Sequence, residues 1–188
     1  MNKPISQAVR QSLALLATAA LLAACANDGV VAPDRATPTA SLAAGLPAAG
    51  TEGAIADLQR VTARYHDLDV ALADGFVLLH PCENRPGEGP VGIVYVHFPR
   101  LLDGVIDPET PDALIYEPAR NGQRPRLVGV EFALPYALWP GQQPPQFLGH
   151  AFQPEDEFGV WALHVWVWRQ NPEGLFGESN PRVSCGEE

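Results

Sequence analysis

Basic residues are scarce in this chain. Its 188 residues hold 22 acidic side chains against 12 basic ones, and Lys3 is the single lysine. Both Lys3 and Arg10 lie within the first 24 residues, so the remainder has 10 basic side chains and a formal charge of −12. Because such a surface repels a phosphate backbone, we expect no nucleic-acid partner.

Motifs that identify common enzymes are also missing. No glycine-rich phosphate loop follows a strand pattern, no nucleophile elbow surrounds Ser184, and no closely spaced histidine pair of the cupin type occurs. The apolar run near the start is shorter than the roughly 20 residues that span a bilayer, and no later segment is longer. The sequence therefore identifies no catalytic residue and leaves open whether the protein is an enzyme.

Residues 1–24 predict a secretory signal peptide. They contain two positive charges, no acidic residue and an apolar run over residues 13–22 that ends in small residues. The following tetrapeptide Leu22-Ala23-Ala24-Cys25 resembles a bacterial lipobox, which implies cleavage before Cys25 and lipidation of its thiol. We expect the membrane as a partner through this lipid anchor. Because Ala26 replaces the Asp that resemblance associates with inner-membrane retention, we expect the outer membrane.

Two cysteines remain once Cys25 is assigned to lipid. Cys82 and Cys185 form an even pair in an exported chain, where the compartment is oxidising. The sequence therefore predicts a disulfide between them. A soft metal site is the alternative for such cysteines, but no C-x-x-C spacing supports it.

Composition divides the chain into three segments. The signal peptide covers residues 1–24, and the lipidated cysteine with a flexible linker covers residues 25–54. The linker is rich in Ala, Gly, Pro, Thr and Ser and lacks apolar periodicity, so it cannot bury enough surface to offset the entropy of ordering. Residues 55–188 have the length of a single globular domain.

One amphipathic helix and several short strands are predicted within that domain. Apolar residues recur every three or four positions from Ile55 to Phe76, with Gly75 suited to end the helix in a left-handed conformation. Strands are predicted at Val91 to Phe98, Ala113 to Glu117, Arg126 to Leu134, and Val160 to Arg169. The expected fold class is α+β, a twisted antiparallel sheet with the N-terminal helix packed on one face and long proline-rich loops.

Each of three predicted strands carries one polar residue among apolar ones. Alternation gives His97 one face with Ile93 and Tyr95, while Glu131 and His164 occupy comparable positions on their strands. If they converge, these two imidazoles and one carboxylate suit a divalent metal, zinc or iron, as a cofactor. The alternative is that each residue faces solvent or satisfies a local hydrogen bond.

The C-terminal stretch resembles an uncharacterised family of secreted or lipid-anchored bacterial proteins. The similarity rests on the segment from Leu163 to Phe176, which reads LHVWVWRQNPEGLF, and on Asn180-Pro181-Arg182-Val183-Ser184-Cys185 behind it. It extends from Tyr65 to Cys185 and implies one domain built around this tail. No activity comes with the resemblance.

Two hypotheses for function follow from these patterns. The first is a small extracytoplasmic binding or interaction module on a lipid anchor, whose protein or small-molecule partner the sequence does not identify. The second is a metal-binding protein or metal-dependent enzyme that uses His97, Glu131 and His164.

Overall fold

Alternating apolar residues build an antiparallel sheet in the domain. The computed structural model describes residues 48–82, 84–85, 89–120 and 122–186, and Cys25 lies outside them. In chain order the strands are β1 (Val77–His80), β2 (Asn84–Arg85), β3 (Gly89–Pro90), β4 (Ile93–Val96), β5 (Ala113–Glu117), β6 (Arg126–Pro135), β7 (Gln146–Phe147), β8 (His150–Ala151), β9 (Gln153–Glu155) and β10 (Val160–Val165). Six of them form one sheet in the order β1-β4-β5-β6-β10-β9, with every neighbouring pair antiparallel. The pairs β2-β3 and β7-β8 form two small ribbons.

The predicted N-terminal helix is present but interrupted. Helix α1 spans Ala48–Thr62, a 3-10 turn follows over Ala63–His66, and helix α2 spans Leu68–Ala73. The side chain of Asp67 caps α2 by accepting a hydrogen bond from the Asp69 amide, and such a cap starts a new helix rather than continuing the old one. Gly75, at φ +100°, ends this region as predicted. Helix α1 begins at Ala48 and so overlaps residues 48–54 of the predicted linker.

The helical region covers one side of the sheet, which we call the helix face. The side chains buried on this face form one hydrophobic cluster, which centres on β5, β6 and β10. The fully buried members of this cluster include Leu58, Phe76, Leu114, Tyr116, Leu127, Phe132 and Phe152. Two hydrogen bonds dock the helices onto the sheet region: Tyr116 Oη donates to the Tyr65 carbonyl at 2.6 Å, and Gln59 Nε2 donates to the Val167 carbonyl at 2.7 Å.

The opposite side of the sheet, the strap face, is covered differently. Residues 169–186, which we call the strap, contain no helix or strand. Leu175 and Phe176 of the strap pack on the helix-face cluster, and the end of the strap lies over the opposite face. Val183 of the strap packs on Ile115, Val128 and Trp166. Elsewhere on the same face, Leu101 of the short helix α3 (Phe98–Leu101) packs against Val94 and its neighbours.

The predicted α+β class, with the helix on one face of an antiparallel sheet, is confirmed. The strands also fall close to their predicted positions, but β10 ends at Val165 rather than at Arg169. A tight turn follows, in which the Val167 amide donates to the Val165 carbonyl. As a result Trp168 does not share the face of Trp166: its indole N–H donates to Thr62 of α1 at 3.1 Å. No helix in the described ranges is long and apolar enough to cross a membrane.

Candidate functional site

A small cleft opens on the strap face. About 450 Å³ of non-atom space lies at this opening, and the figure includes open solvent outside the walls. The residues that line it come from both edges and the middle of the sheet and from the loops beside them: Leu79, His80, Val91, Gly92, Val94, Glu131, Glu155, Phe158 and His164. The wall thus combines apolar side chains with two carboxylates and two imidazoles.

Glu131 and His164 face each other across the wall of this cleft. They are direct register partners on β6 and β10, and His164 Nε2 lies 3.5 Å from Glu131 Oε2. The side chains retain only 9% exposure for His164 and 12% for Glu131. Because side chains of antiparallel partners leave the sheet on the same side, the strand register alone brings this pair together.

The protonation of His164 follows from its second partner. Nδ1 lies 2.6 Å from the Glu178 carbonyl oxygen, which can only accept, so Nδ1 carries a proton. Burial lowers the pKa of His164. The hydrogen bond and charge of Glu131, together with the Glu178 carbonyl, raise this pKa by more than burial lowers it, so the net shift is upward. The pair therefore favours an imidazolium beside a carboxylate, which neutralises both charges in a nearly buried position.

The strap supplies the support behind His164. Trp166 Nε1 donates to the Gly177 carbonyl at 2.6 Å, and the Trp166 amide donates to the Leu175 carbonyl at 2.9 Å. The rings of His164 and Trp166 meet edge to face with centroids 6.0 Å apart. These contacts hold residues 175–178 against the sheet, so the orientation of the His164 ring depends on the strap.

A second buried acid lies beside Glu131. Asp112 is 1% exposed, and its Oδ2 accepts a hydrogen bond from the Ala133 amide at 2.9 Å. Burial raises the pKa of Asp112 to about 7, the Ala133 hydrogen bond opposes this rise, and the negative charge of Glu131 adds to it. Asp112 does not line the cleft, but its charge state couples to that of the cleft carboxylate.

His80, Glu155 and Phe158 complete the polar and aromatic lining. The His80 and Phe158 rings meet edge to face with centroids 6.1 Å apart. The negative charge of Glu155 contributes to the upward pKa shift of His164, which places the carboxylate within electrostatic range of the imidazole. Phe158 is 37% exposed and presents an apolar surface to the cleft.

The structure does not bring His97 to this pair. His97 follows the last residue of β4 and caps α3: its Nδ1 accepts from the Arg100 amide at 3.3 Å, while its Nε2 lies 3.2 Å from the Asp74 carbonyl oxygen. Its ring packs on Phe76 of the helix-face cluster. Both ring nitrogens are thus engaged outside the cleft.

His97 lies apart from Glu131 and His164 because its side chain leaves the sheet region on the opposite side. Val96, not His97, lies in register with Ala113, which in turn faces Glu131. The neighbours that share the alternation of His97, Ile93 and Tyr95, pack on the helix-face cluster. Within the described ranges, no group of three or more His, Cys, Asp or Glu residues is placed to hold a metal ion. The described residues therefore do not form the predicted zinc or iron ligand set.

The predicted disulfide is present. Cys82 and Cys185 are bonded with their Cα atoms 5.1 Å apart, across a sequence separation of 103 residues. The bond ties the end of the strap to the segment after β1. It closes the strap over the face that carries the cleft.

Sequence reasoning missed Asp112, Glu155 and Phe158. Glu155 lies in β9, a three-residue edge strand with Pro154 at its centre, and such a strand has no alternation to recognise. Asp112 precedes β5 and Phe158 lies in the turn before β10, so neither belongs to a periodic pattern. No signal short of the strand order could have grouped them with His164.

No family model, no curated protein and no solved structure matches the chain. The resemblance of the C-terminal segment to secreted bacterial proteins therefore stays a prediction.

Proposed function

We propose that this protein is an extracytoplasmic binding module, anchored to the outer membrane by lipid on Cys25, that binds a small ligand in the cleft beside Glu131 and His164. The observation that carries the proposal is the nearly buried ion pair in the wall of an open cleft. Burying two charges costs desolvation energy, and apolar residues of similar volume in place of a buried ion pair often stabilise a fold equally well. A charged pair at the surface of a concave site is typical of ligand recognition.

The location rests on independent features of the chain. The apolar start, the lipobox-like tetrapeptide and Ala26 support export and lipidation. The Cys82–Cys185 disulfide supports an oxidising compartment, since such bonds are rare in the cytosol.

Mass spectrometry and fractionation test the anchor. The mature protein should begin at Cys25, carry the mass of acyl chains and partition into detergent. Replacing Cys25 with Ser should yield soluble or unprocessed protein, whereas Cys82→Ser should leave the lipid in place. A mature form that begins elsewhere without lipid would rule out the anchor.

A fragment screen tests the cleft. Small fragments are added to the full lipidated chain in detergent micelles, and binding is followed by NMR with the His164 ring signals as the reporter. We expect fragments that shift the His164 signals, with an affinity lowered about tenfold in Glu131→Gln because one charge-assisted contact is lost.

The matched control for this screen is Glu109→Gln. Glu109 pairs with Arg60 at the surface, its side chain is 58% exposed, and it does not line the cleft. Affinities should be unchanged in this variant. If no fragment shifts His164, or if Glu131→Gln and Glu109→Gln behave alike, the cleft is not the binding site.

A further inference from the structure

The exposed apolar residues of the described ranges gather at one end of the sheet. Val77 pairs with Val96, Val96 with Ala113, and Ala113 with Glu131, so β1 and β5 begin at the end where β4 and β6 finish. Each large apolar residue that is exposed lies in β1 or in a segment that joins a strand at this end: Leu72, Val77, Leu78, Phe98, Leu102, Val105, Leu138 and Phe158. The described residues of the β5–β6 connection, at the other end, include none.

Four of these residues, Phe98, Leu102, Val105 and Leu138, form a surface that we call the apolar tip. Phe98 and Leu102 are one helical turn apart, since the Leu102 amide donates to the Phe98 carbonyl at 3.0 Å. Gly104 lies against Leu138, because a Cβ atom on Gly104 would be 3.4 Å from Leu138 Cδ1. The four residues of the tip are 44%, 63%, 59% and 46% exposed. Exposed apolar surface of this kind is typical of a contact with another protein or with a membrane.

The neighbours of the tip show that its exposure does not serve the core. Leu101, beside Leu102, packs on the small clusters of the strap face, and Ile106, beside Val105, packs on the helix-face cluster. The core contacts of this segment are thus made by Leu101 and Ile106. Leu102 and Val105 therefore contribute to a surface contact rather than to the core.

The charges beside the tip disfavour an anionic partner. Helix α3 and the loop after it contain Asp103, Asp107 and Glu109 against one basic residue, Arg100, whose guanidinium donates to the Pro111 carbonyl at 3.0 Å. Anionic lipid surfaces recruit proteins through clusters of Lys and Arg, and the described residues of this segment offer no such cluster. A second copy of the chain is equally disfavoured, because it would place two such acidic segments face to face.

The length of the chain before the domain keeps a bilayer within reach of the tip. This step rests on the lipid anchor of the proposed function. Residues 26–47 separate Cys25 from the start of α1 at Ala48. A chain of that length spans at most about 80 Å, so the domain of an anchored protein stays near the membrane. Tethering makes docking intramolecular, and a weak contact is then populated without a high-affinity site.

We infer that the apolar tip docks on a bilayer of zwitterionic phospholipid, with Phe98, Leu102, Val105 and Leu138 in the boundary between headgroups and acyl chains. Apolar side chains that enter this boundary leave water and gain the free energy of burial. Zwitterionic headgroups bring no net negative charge against Asp103 and its acidic neighbours. Docking also orients the domain: the end of the sheet that carries the tip faces the membrane, and the β5–β6 connection points away from it.

Quenching of tryptophan fluorescence by brominated lipid tests the docking. The full lipidated chain is reconstituted into phosphatidylcholine vesicles whose acyl chains carry bromine, a short-range quencher of indole fluorescence. Leu102→Trp places a reporter in the tip and keeps the position apolar. Gln123→Trp places the matched reporter at an exposed position of the β5–β6 connection, at the other end of the sheet. The signal of the four native Trp residues, measured on the unmodified protein, is subtracted.

We expect the Leu102→Trp reporter to be quenched at least about threefold more strongly than the Gln123→Trp reporter, because only the tip reaches the acyl chains. Adding Phe98→Ser or Val105→Ser to the reporter protein should lower this quenching about twofold, since each removes one apolar contact. Both positions are exposed, so both variants should fold, and urea denaturation checks this. Replacing half of the phosphatidylcholine with phosphatidylglycerol at low salt should also lower the quenching, because the added negative charge repels the acidic segment.

Several results would overturn the inference. Equal quenching of the two reporters would show that the tip does not enter the bilayer. Quenching that neither Phe98→Ser nor Val105→Ser lowers would place the contact elsewhere. Quenching that rises with phosphatidylglycerol would rule out the preference for a zwitterionic surface. A Leu102→Trp reporter that lipid does not quench, in a protein whose copies cross-link to each other, would assign the tip to self-association.

Failure of the docking and failure of the anchor are distinguishable, because mass spectrometry reads the lipid on Cys25 directly. If the lipid is present and the Leu102→Trp reporter is not quenched, the docking fails while the anchor stands. If the lipid is absent, the unlipidated chain is mixed with the same vesicles at increasing lipid concentration. Quenching of the Leu102→Trp reporter would then support the docking without the anchor, and its absence would overturn both.

Discussion

The two faces of the six-stranded sheet are buried by different means. On the helix face, α1 and α2 cover one extended cluster dominated by Leu, Val, Phe and Tyr side chains. On the strap face, the apolar clusters are small and separate, and Glu131 and His164 lie among them. A regular helix can cover a sheet with apolar contacts alone, because its own backbone hydrogen bonds are satisfied internally.

The strap has no such internal pattern, so side chains must pair with its backbone. Asn171 Nδ2 donates to the Ser179 carbonyl at 2.7 Å, and Asn180 Nδ2 donates to the Arg169 carbonyl at 3.2 Å. The His164 and Trp166 rings satisfy two more strap carbonyls. The polar residues of the strap face therefore serve two purposes: they hold an irregular cover in place, and they line the opening that this cover leaves.

Truncation on the helix face should have the largest effect. Phe132 is fully buried and its ring packs on Phe147 with centroids 4.6 Å apart. Phe132→Ala should lower the free energy of unfolding by about 4 kcal/mol, through lost apolar burial and the cavity left behind. Urea denaturation measures the change. Phe158→Ala, at the cleft, should cost only about 1 to 2 kcal/mol, since the residue is already 37% exposed. Equal losses in the two variants would remove the distinction between the faces.

Acid–base titration should change the stability through two groups beside the strap face, Asp112 and His164. In the folded protein Asp112 keeps its proton up to a pKa of about 7, whereas the unfolded chain loses it near 3.8. The folded state therefore binds more protons between these values, and its stability falls as the pH rises from about 4 to 7. The shift corresponds to a loss on the order of 4 kcal/mol. Urea denaturation at each pH measures it, and Asp112→Asn should flatten this part of the curve.

His164 extends the same trend to higher pH. Its pKa is raised above the ordinary 6.5, so its contribution is complete below about 6.5 and is lost as the pH rises through the folded value. His164→Gln should flatten the curve above pH 6.5 and leave the region below it unchanged. A curve that stays level from pH 4 to 9 in the unmodified protein would contradict both assignments.

Opening the disulfide should loosen the end of the strap around Asn180 and Ser184, while Leu175 and Phe176 of the strap stay packed on the helix-face cluster. The double variant Cys82→Ser, Cys185→Ser should be less stable by about 3 kcal/mol, because the bond closes a long loop in the unfolded chain. Hydrogen exchange should show faster exchange at Asn180 and Ser184, while Val130 is protected as before relative to the new global stability. Uniform acceleration at all three amides would indicate that the strap is not a separate unit.

Loss of one strap hydrogen bond should have a smaller effect than the Phe132 truncation, the titration of Asp112 or the opening of the disulfide. Asn180 is fully buried, donates to Arg169 and accepts from the Arg182 amide at 3.0 Å. Asn180→Ala should cost about 2 kcal/mol in urea denaturation, because the Arg169 carbonyl is left without its donor. Asn84→Ala is the matched control at an exposed position and should change stability by less than about 0.5 kcal/mol. A similar result for both would mean that water replaces the Asn180 side chain.

The parts of the fold that were predicted are those with a local signal. Apolar alternation located β5 and β6 almost to the residue, and the elimination of Cys25 paired Cys82 with Cys185. The break between α1 and α2 was not predicted, because Tyr65 continues the apolar stripe although α1 ends at Thr62 and Asp67 caps the start of α2. The short edge strand β9 had no pattern to predict it.

The candidate site was predicted only in part, and the reason is register. Glu131 and His164 were both recognised as polar residues within apolar strands, and β6 and β10 turned out to be neighbours in the sheet. His97 was grouped with them on parity counted along one strand. Alternation shows which residues of one strand lie on the same face. It does not show whether that face is shared with a given residue of another strand, since a change of register by one residue reverses the face.

Local periodicity and a count of residues thus suffice to predict the α+β class, the positions of the main strands, the helical stripe and the cysteine pairing. The contact of Glu131 with His164, the capping of α3 by His97, and the position of Asp112 and Glu155 near the pair depend instead on the folded chain. The physical reason is that a cleft is formed by strand order, register and the path of the strap, and these depend on contacts between residues far apart in the chain.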